Sequence, residues 1–136
     1  NIEDMDKIPA AAPPVIDSYG GRSLHEQSHG ESFLALVRHR FGPQGLYILD
    51  EPEAALSPSR QLQLLRLMKD LVDAGSQFIV ATHSAMLLAY PNAVVYQLDE
   101  NGPRRVTYKE TEHYRLWTEF IESPARYFQH LFSDES

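Results

Sequence analysis

The sequence predicts an α/β chain built around one parallel β-α-β unit, and three observations carry that reading. Leu46-Tyr47-Ile48-Leu49 is an apolar run too short for a globular helix and closed by Asp50-Glu51-Pro52, which reads as a buried strand. Gln77-Phe78-Ile79-Val80-Ala81-Thr82 is a second run of the same kind. Between them Leu64, Leu65, Met68, Leu71 and Val72 fall on one stripe at helical spacing. Strand, helix and strand with short links make a parallel, right-handed unit.

The remaining elements follow in order. Residues 1–17 carry Pro9, Pro13 and Pro14 among alanines and suit an extended connector. Ser18-Tyr19-Gly20-Gly21 is a turn signal. Residues 28–41 present Phe33, Leu34, Leu36, Val37 and Phe41 as the apolar face of a helix, which Gly42-Pro43-Gln44-Gly45 ends. The central helix opens with Ser57 as its cap and Pro58 in its first position, and stops at Gly75. A short helix near 84–89 leads to a hairpin, Ala93–Leu98 and Arg104–Tyr108, turning at Asn101-Gly102. Residues 111–122 and 124–132 form two helices split at Pro124. The chain shows no internal repeat and no low-complexity tract.

With 136 residues the chain suits one compact domain or part of a larger one. It opens on Asn1, as a trimmed or processed piece would. It has no cysteine, which excludes disulfides and thiolate metal sites and fits a cytoplasmic protein. No run is long enough to span a membrane. The formal net charge of −7 argues against strong nonspecific phosphate binding, and the adjacent Arg104 and Arg105 are a poor nucleic-acid footprint. His25, His29, His39, His83, His113 and His130 show no metal-ligand spacing, and no Gly-x-Ser-x-Gly elbow occurs. Tyr114, Trp117, Phe120, Tyr127 and Phe128 recur at helical spacing and read as packing residues rather than a base-stacking platform.

Ligands of parallel sheets bind at the carboxyl ends of the strands. The first strand ends at Asp50-Glu51, the second at Thr82-His83-Ser84. Neighbouring strands would bring the two tips to about 5 Å. A carboxylate pair and an imidazole on one water-poor rim are what phosphoryl transfer needs. Asp50 would hold Mg²⁺ through water, which that ion gives up reluctantly. Glu51 would polarise an attacking water. His83 would contact a γ-phosphate, since its ring can donate in either charge state. Each residue also has a plainer reading, an acidic turn after a strand or a packed histidine, and it is their pairing across one unit that favours the chemistry.

Leu46-Tyr47-Ile48-Leu49-Asp50-Glu51-Pro52 resembles the Walker B motif of ATP-binding-cassette ATPases, Ala54-Ala55-Leu56-Ser57 sits where those proteins carry the D-loop, and Ala81-Thr82-His83-Ser84 resembles their switch-histidine motif. Upstream, Gln27-Ser28-His29-Gly30-Glu31 resembles the signature motif. The four motifs occur in family order over residues 18–98. The resemblance implies the C-terminal half of such an ATPase domain, a P-loop NTPase-like parallel sheet with flanking helices over 18–136. It implies Glu51 and His83 as catalytic residues and Asp50 at Mg²⁺. It implies Ser28, Gly30, Glu31 and Ser57 at ATP, partly held by a partner subunit. Ser28 would also begin its helix, where the amides favour anions; Ser28 with Glu31 equally makes a capping box. The stretch Ser23–Phe33 and the run Asp50–Pro58, with Glu53 where transporters usually carry Thr or Ser, look like bacterial ATPases near the chromosome-maintenance and recombination-repair group.

The sequence departs from the family pattern in three places. His29 replaces the first signature glycine, Gln27 the usual leucine, and Ser57 the D-loop aspartate. No Gly-x-x-x-x-Gly-Lys-Ser/Thr loop occurs, so the amides and lysine that cradle the β- and γ-phosphates are expected from an N-terminal lobe outside this chain. The expectation is an ATPase that closes an ATP-dependent homodimer and acts on DNA or a protein partner. The alternatives are the nucleotide-binding subunit of a transporter with a membrane partner, or a non-catalytic binding fragment. Alone, the 136 residues are expected neither to bind ATP tightly nor to turn it over.

Overall fold

The computed structural model describes residues 22–133, with side chains from His29 onward. The expected connector over 1–17 and the turn at 18–21 lie outside the described residues. The chain divides into two compact units, one running to Leu87 and one from Leu88.

The first unit begins with α1 (Arg22–Arg40), followed by β1 (Leu46–Asp50), a 3-10 turn (Pro52–Ala55), α2 (Pro58–Asp73), β2 (Gln77–Ala81) and α3 (Ala85–Leu88), whose last residue opens the second unit. β1 and β2 pair in parallel, with Leu46 opposite Gln77 and Asp50 opposite Ala81. The sequence predicted this β-α-β unit, and its boundaries differ from expectation by one residue.

α2 forms because both of its ends are satisfied. The Ser57 hydroxyl accepts from the Arg60 amide at 3.3 Å, and Pro58 takes the first turn, where a missing N–H costs nothing. At the other end Ser76 N donates to Leu71 O and Gly75 N to Val72 O, both at 2.9 Å. That is a Schellman closure, and Gly75 supplies the positive φ of 93° it requires. Leu64 and Met68 of the predicted stripe are buried, Leu65 and Leu71 are half-buried, and Val72 is exposed.

The core joins Leu34, Leu36, Val37 and Phe41 of the α1 region to Leu49, Leu56, Leu64 and Met68. Each fully buried leucine contributes about 1.5–3 kcal/mol of apolar burial. Phe41 stacks on Tyr47 with ring centres 4.0 Å apart, and Phe78 completes the aromatic group. The Tyr47 hydroxyl accepts from Gly42 N at 2.7 Å, while Ser76 Oγ donates to Gly42 O and accepts from Gly45 N. These bonds fasten the 42–45 loop to the start of both strands.

Two expectations need correction. Ser28 does not begin a helix: α1 starts six residues earlier, and Ser28 lies within it. Its backbone amide is therefore part of a running helical ladder rather than a free N-terminus, because residues 22–32 carry no proline and a single glycine and so tolerate helix. Nor are the strands buried on both faces. Tyr47 and Leu49 face the helices, but Leu46, Ile48 and Ile79 are about half exposed. The reason is layer number: the helices cover one face of a sheet that has only these two strands among the described residues.

In the second unit β3 (Val95–Asp99) and β4 (Gly102–Val106) form an antiparallel hairpin. Asp99 Oδ1 accepts from Asn101 N at 2.8 Å and Gly102 takes a φ of 99°, so the turn falls where Asn101-Gly102 predicted it. Val95 and Val106 are buried opposite one another. A second 3-10 turn (Tyr108–Glu110) leads to α4 (Glu112–Glu122) and α5 (Pro124–Leu131), split at Pro124 as expected. Thr111, 2% exposed, caps α4 by accepting from Tyr114 N and donating to Tyr108 O. Phe120 packs edge-on against Trp117, Tyr127 and Phe128, so these rings do pack on one another, although no residue of either helix is fully buried.

Candidate active site

The site grows from the parallel register. Because Asp50 pairs with Ala81, the residues that follow each strand leave the sheet side by side. Glu51 N donates to Ala81 O at 2.7 Å, which extends the ladder by one step and holds Glu51 against the second strand. The chain must then turn sharply. Glu51 adopts the left-handed conformation, with φ 47° and ψ 54°. Pro52 disfavours the right-handed region for the residue before it, and the 3-10 turn that starts at Pro52 needs the abrupt entry. A non-glycine residue there stores on the order of 1–2 kcal/mol of strain.

The result is a rim bearing Asp50, Glu51 and His83. His83 Nε2 lies 3.7 Å from Glu51 Oε1, with the two side chains 75% and 56% exposed. The separation is too long for a direct hydrogen bond and short enough for one small oxygen to touch both groups. Asp50 is exposed at the strand tip beside them. The rim expected to be water-poor is therefore open to solvent among the described residues, because helices cover one face of a two-stranded sheet, and its groups remain available to substrate.

The other predicted residues gather on the segment Ala55–Arg60. Gly30 is buried where α1 crosses the 3-10 turn, and a Cβ there would stand 2.6 Å from Ala55 O. Glu31 pairs with Arg60 at 3.0 Å. Ser57 caps α2 and lies 3.2 Å from the Ser59 hydroxyl. The Ser28 side chain lies outside the described residues.

Sequence reasoning gave no role to the residues that hold the His83 loop. Thr82 Oγ1 donates to Glu53 Oε1 at 2.6 Å, and His83 N donates to Glu53 Oε2 at 2.9 Å. Ser84 bonds to Gln61 Oε1 through its hydroxyl, which also accepts from Leu87 N at 3.2 Å and so begins α3. Glu53 lies 29 and 30 residues from Thr82 and His83 in sequence, and Gln61 lies 23 from Ser84. Only the acidic Glu53 so soon after Asp50-Glu51 hinted at them.

Among the described residues no group of three or more His, Cys, Asp or Glu side chains could hold a metal. The donor set nonetheless suits Mg²⁺ met through water, because that ion needs only one or two protein carboxylates and Asp50 presents one. Nor is any helix among the described residues long and apolar enough to cross a membrane.

A parallel unit carrying an acidic pair on one strand tip and a histidine on the next suits a P-loop ATPase-type domain, and two comparisons support that class. The chain belongs to the family described as "AAA domain, putative AbiEii toxin, Type IV TA system", whose match covers residues 16–89, just over half of its length. It is also similar to the hemin import ATP-binding protein HmuV of Streptomyces coelicolor, 29% identical over 127 residues. That alignment takes in 89% of this chain and 44% of the relative, so the chain spans less than half the length of the curated protein it matches. No solved structure matches it.

Proposed function

We propose that this chain carries the hydrolytic residues of an ATP-binding-cassette-type ATPase that is not a transporter, and that the intact protein binds and hydrolyses ATP. The observation that carries the reading is the 3.7 Å approach of Glu51 Oε1 and His83 Nε2 across adjacent parallel strands. Glu51 accepts a proton from the attacking water and aligns it. His83 donates to a γ-phosphate oxygen and so registers whether that group is present. Asp50 would hold Mg²⁺ through water, and that ion, when bound, would neutralise charge on the phosphates. The phosphate cradle is contributed by a segment outside these 136 residues.

ATP closes a dimer in which the α1 region of one subunit completes the other's site, and hydrolysis reopens it. The motion acts on DNA or on a protein partner. ATP turnover by the purified full-length protein, abolished by Glu51→Gln, tests the reading; undiminished turnover in that variant would sink it.

One observation favours a second reading. The similarity to a hemin import ATP-binding protein supports a transporter's nucleotide-binding subunit. Co-purification of the full-length protein with a membrane protein would select it. The third possibility, a binding module without catalysis, predicts ATP affinity without turnover.

A further inference from the structure

We propose that Glu53 is a positioning residue for His83, fixing the histidine loop to the turn that carries Glu51; this rests on the ATPase reading of the same site. Its carboxylate uses both oxygens on consecutive residues. Oε1 takes the Thr82 hydroxyl at 2.6 Å and Oε2 takes the His83 backbone N–H at 2.9 Å. Both bonds are charge-assisted, and a bidentate grip removes the hinge freedom that a single bond leaves. Thr82 relays the grip, since its Oγ1 also accepts from Ser84 N at 3.0 Å. Glu53 is half-buried on the same 3-10 turn that leaves Glu51, two residues away. One short rigid segment therefore sets both the carboxylate of residue 51 and the backbone from which the imidazole of residue 83 projects.

The chemistry explains why this position holds a carboxylate. The loop offers two donors, an O–H and an N–H, and an ionised carboxylate is acceptor-only at both oxygens. A glutamine keeps one acceptor and turns a donor toward the other partner. A threonine or serine is too short to reach both. The Glu53 carboxylate bonds to the Thr82 hydroxyl and the His83 amide, so its removal acts on the loop that carries His83.

The test uses the full-length protein with Glu53→Ala and Glu53→Gln, and Glu51→Gln as control. Two quantities are read: steady-state ATP hydrolysis, and hydrogen exchange at the His83 amide. Glu53→Ala is expected to lower kcat by about 10–100-fold, the usual cost of losing an orienting partner, with KM for ATP within about twofold. His83 amide exchange should speed up about tenfold as its acceptor is lost. Glu53→Gln should fall between wild type and Ala on both measures, and it serves if the alanine variant fails to fold. Unchanged His83 exchange overturns the proposal whatever the activity. Faster exchange with unchanged kcat, while Glu51→Gln is inactive, also overturns it. If Glu51→Gln and Glu53→Ala both hydrolyse ATP normally while His83 exchange speeds up, the assignment of hydrolysis to this site fails and the grip on the loop stands.

Discussion

His83 Nε2 stands 3.7 Å from Glu51 Oε1, although 31 residues and a whole helix separate them in the chain. The parallel ladder brings the two strand ends together: once Asp50 is opposite Ala81, the next residues of both strands exit side by side. A base that aligns water and a donor that meets phosphate must share a substrate, so each residue should be needed. In the full-length protein, Glu51→Gln and His83→Ala should each lower kcat by about 10²–10⁴-fold. Combining them should cost little more than either alone, as for groups acting as a unit. Additive losses in the double variant would show two independent roles.

Glu51 also strains the backbone, and that separates its stability effect from its chemistry. Glycine adopts a φ of 47° freely, which relieves on the order of 1–2 kcal/mol. The added entropy of the unfolded glycine chain takes back about 0.5–1 kcal/mol. Glu51→Gly should therefore be neutral or stabilising by up to about 1.5 kcal/mol in urea denaturation, while turnover is lost. A destabilised Gly variant would mean that the side chain of residue 51 supports the fold.

Gly30 tests the packing of α1 on the turn. At an open helical position Gly→Ala would stabilise by about 1 kcal/mol. Here the new methyl would meet Ala55 O at 2.6 Å, with Arg60 Cδ at 3.2 Å behind it. The neighbour is backbone and cannot swing aside, so overpacking of about 1–3 kcal/mol outweighs the propensity gain. Gly30→Ala should lower the urea midpoint.

Ser57 has a structural task whatever else it contacts. Ser57→Ala should cost about 0.5–1 kcal/mol by uncapping α2. Ser57→Asn, an equally good cap, should restore that stability. If ATP turnover falls in Ser57→Asn while stability is restored, the hydroxyl serves the nucleotide as well; equal turnover would confine it to capping.

The Thr107–Glu110 turn should respond to acid. Glu110 accepts from the Thr107 amide at 2.8 Å, and hydrogen bonds to Thr107 hold its carboxyl below the ordinary glutamate value. A pKa lowered in the folded state contributes stability above the unfolded value and loses it as pH falls through the folded one. The turn before α4 should therefore loosen only below the usual glutamate range. Carboxyl carbon NMR should give a Glu110 midpoint below that of an unfolded glutamate. Thr107→Ala should raise it by losing the hydroxyl bond, while the backbone bond keeps part of the shift. A midpoint already at the unfolded value would show that the hydrogen bonds between Glu110 and Thr107 do not form in solution.

Local patterns in the chain determined much of this molecule by themselves. The two apolar runs, the Ser57-Pro58 entry, the Gly75 exit and the Asn101-Gly102 turn each encode their structure within a few residues, so β1, α2, β2 and the hairpin were legible. So was the candidacy of Asp50, Glu51 and His83, because strand tips in a parallel unit must coincide. Tertiary structure alone decided the rest. The left-handed Glu51, the burial of Gly30 against Ala55 and the grip of Glu53 on Thr82 and His83 arise between segments about 25 or more residues apart, or from a turn closed by its neighbours. Hydrogen bonds and steric contacts of a few ångströms have no sequence signature of their own. They exist only once the sheet register and the helix crossing have brought the partners within reach.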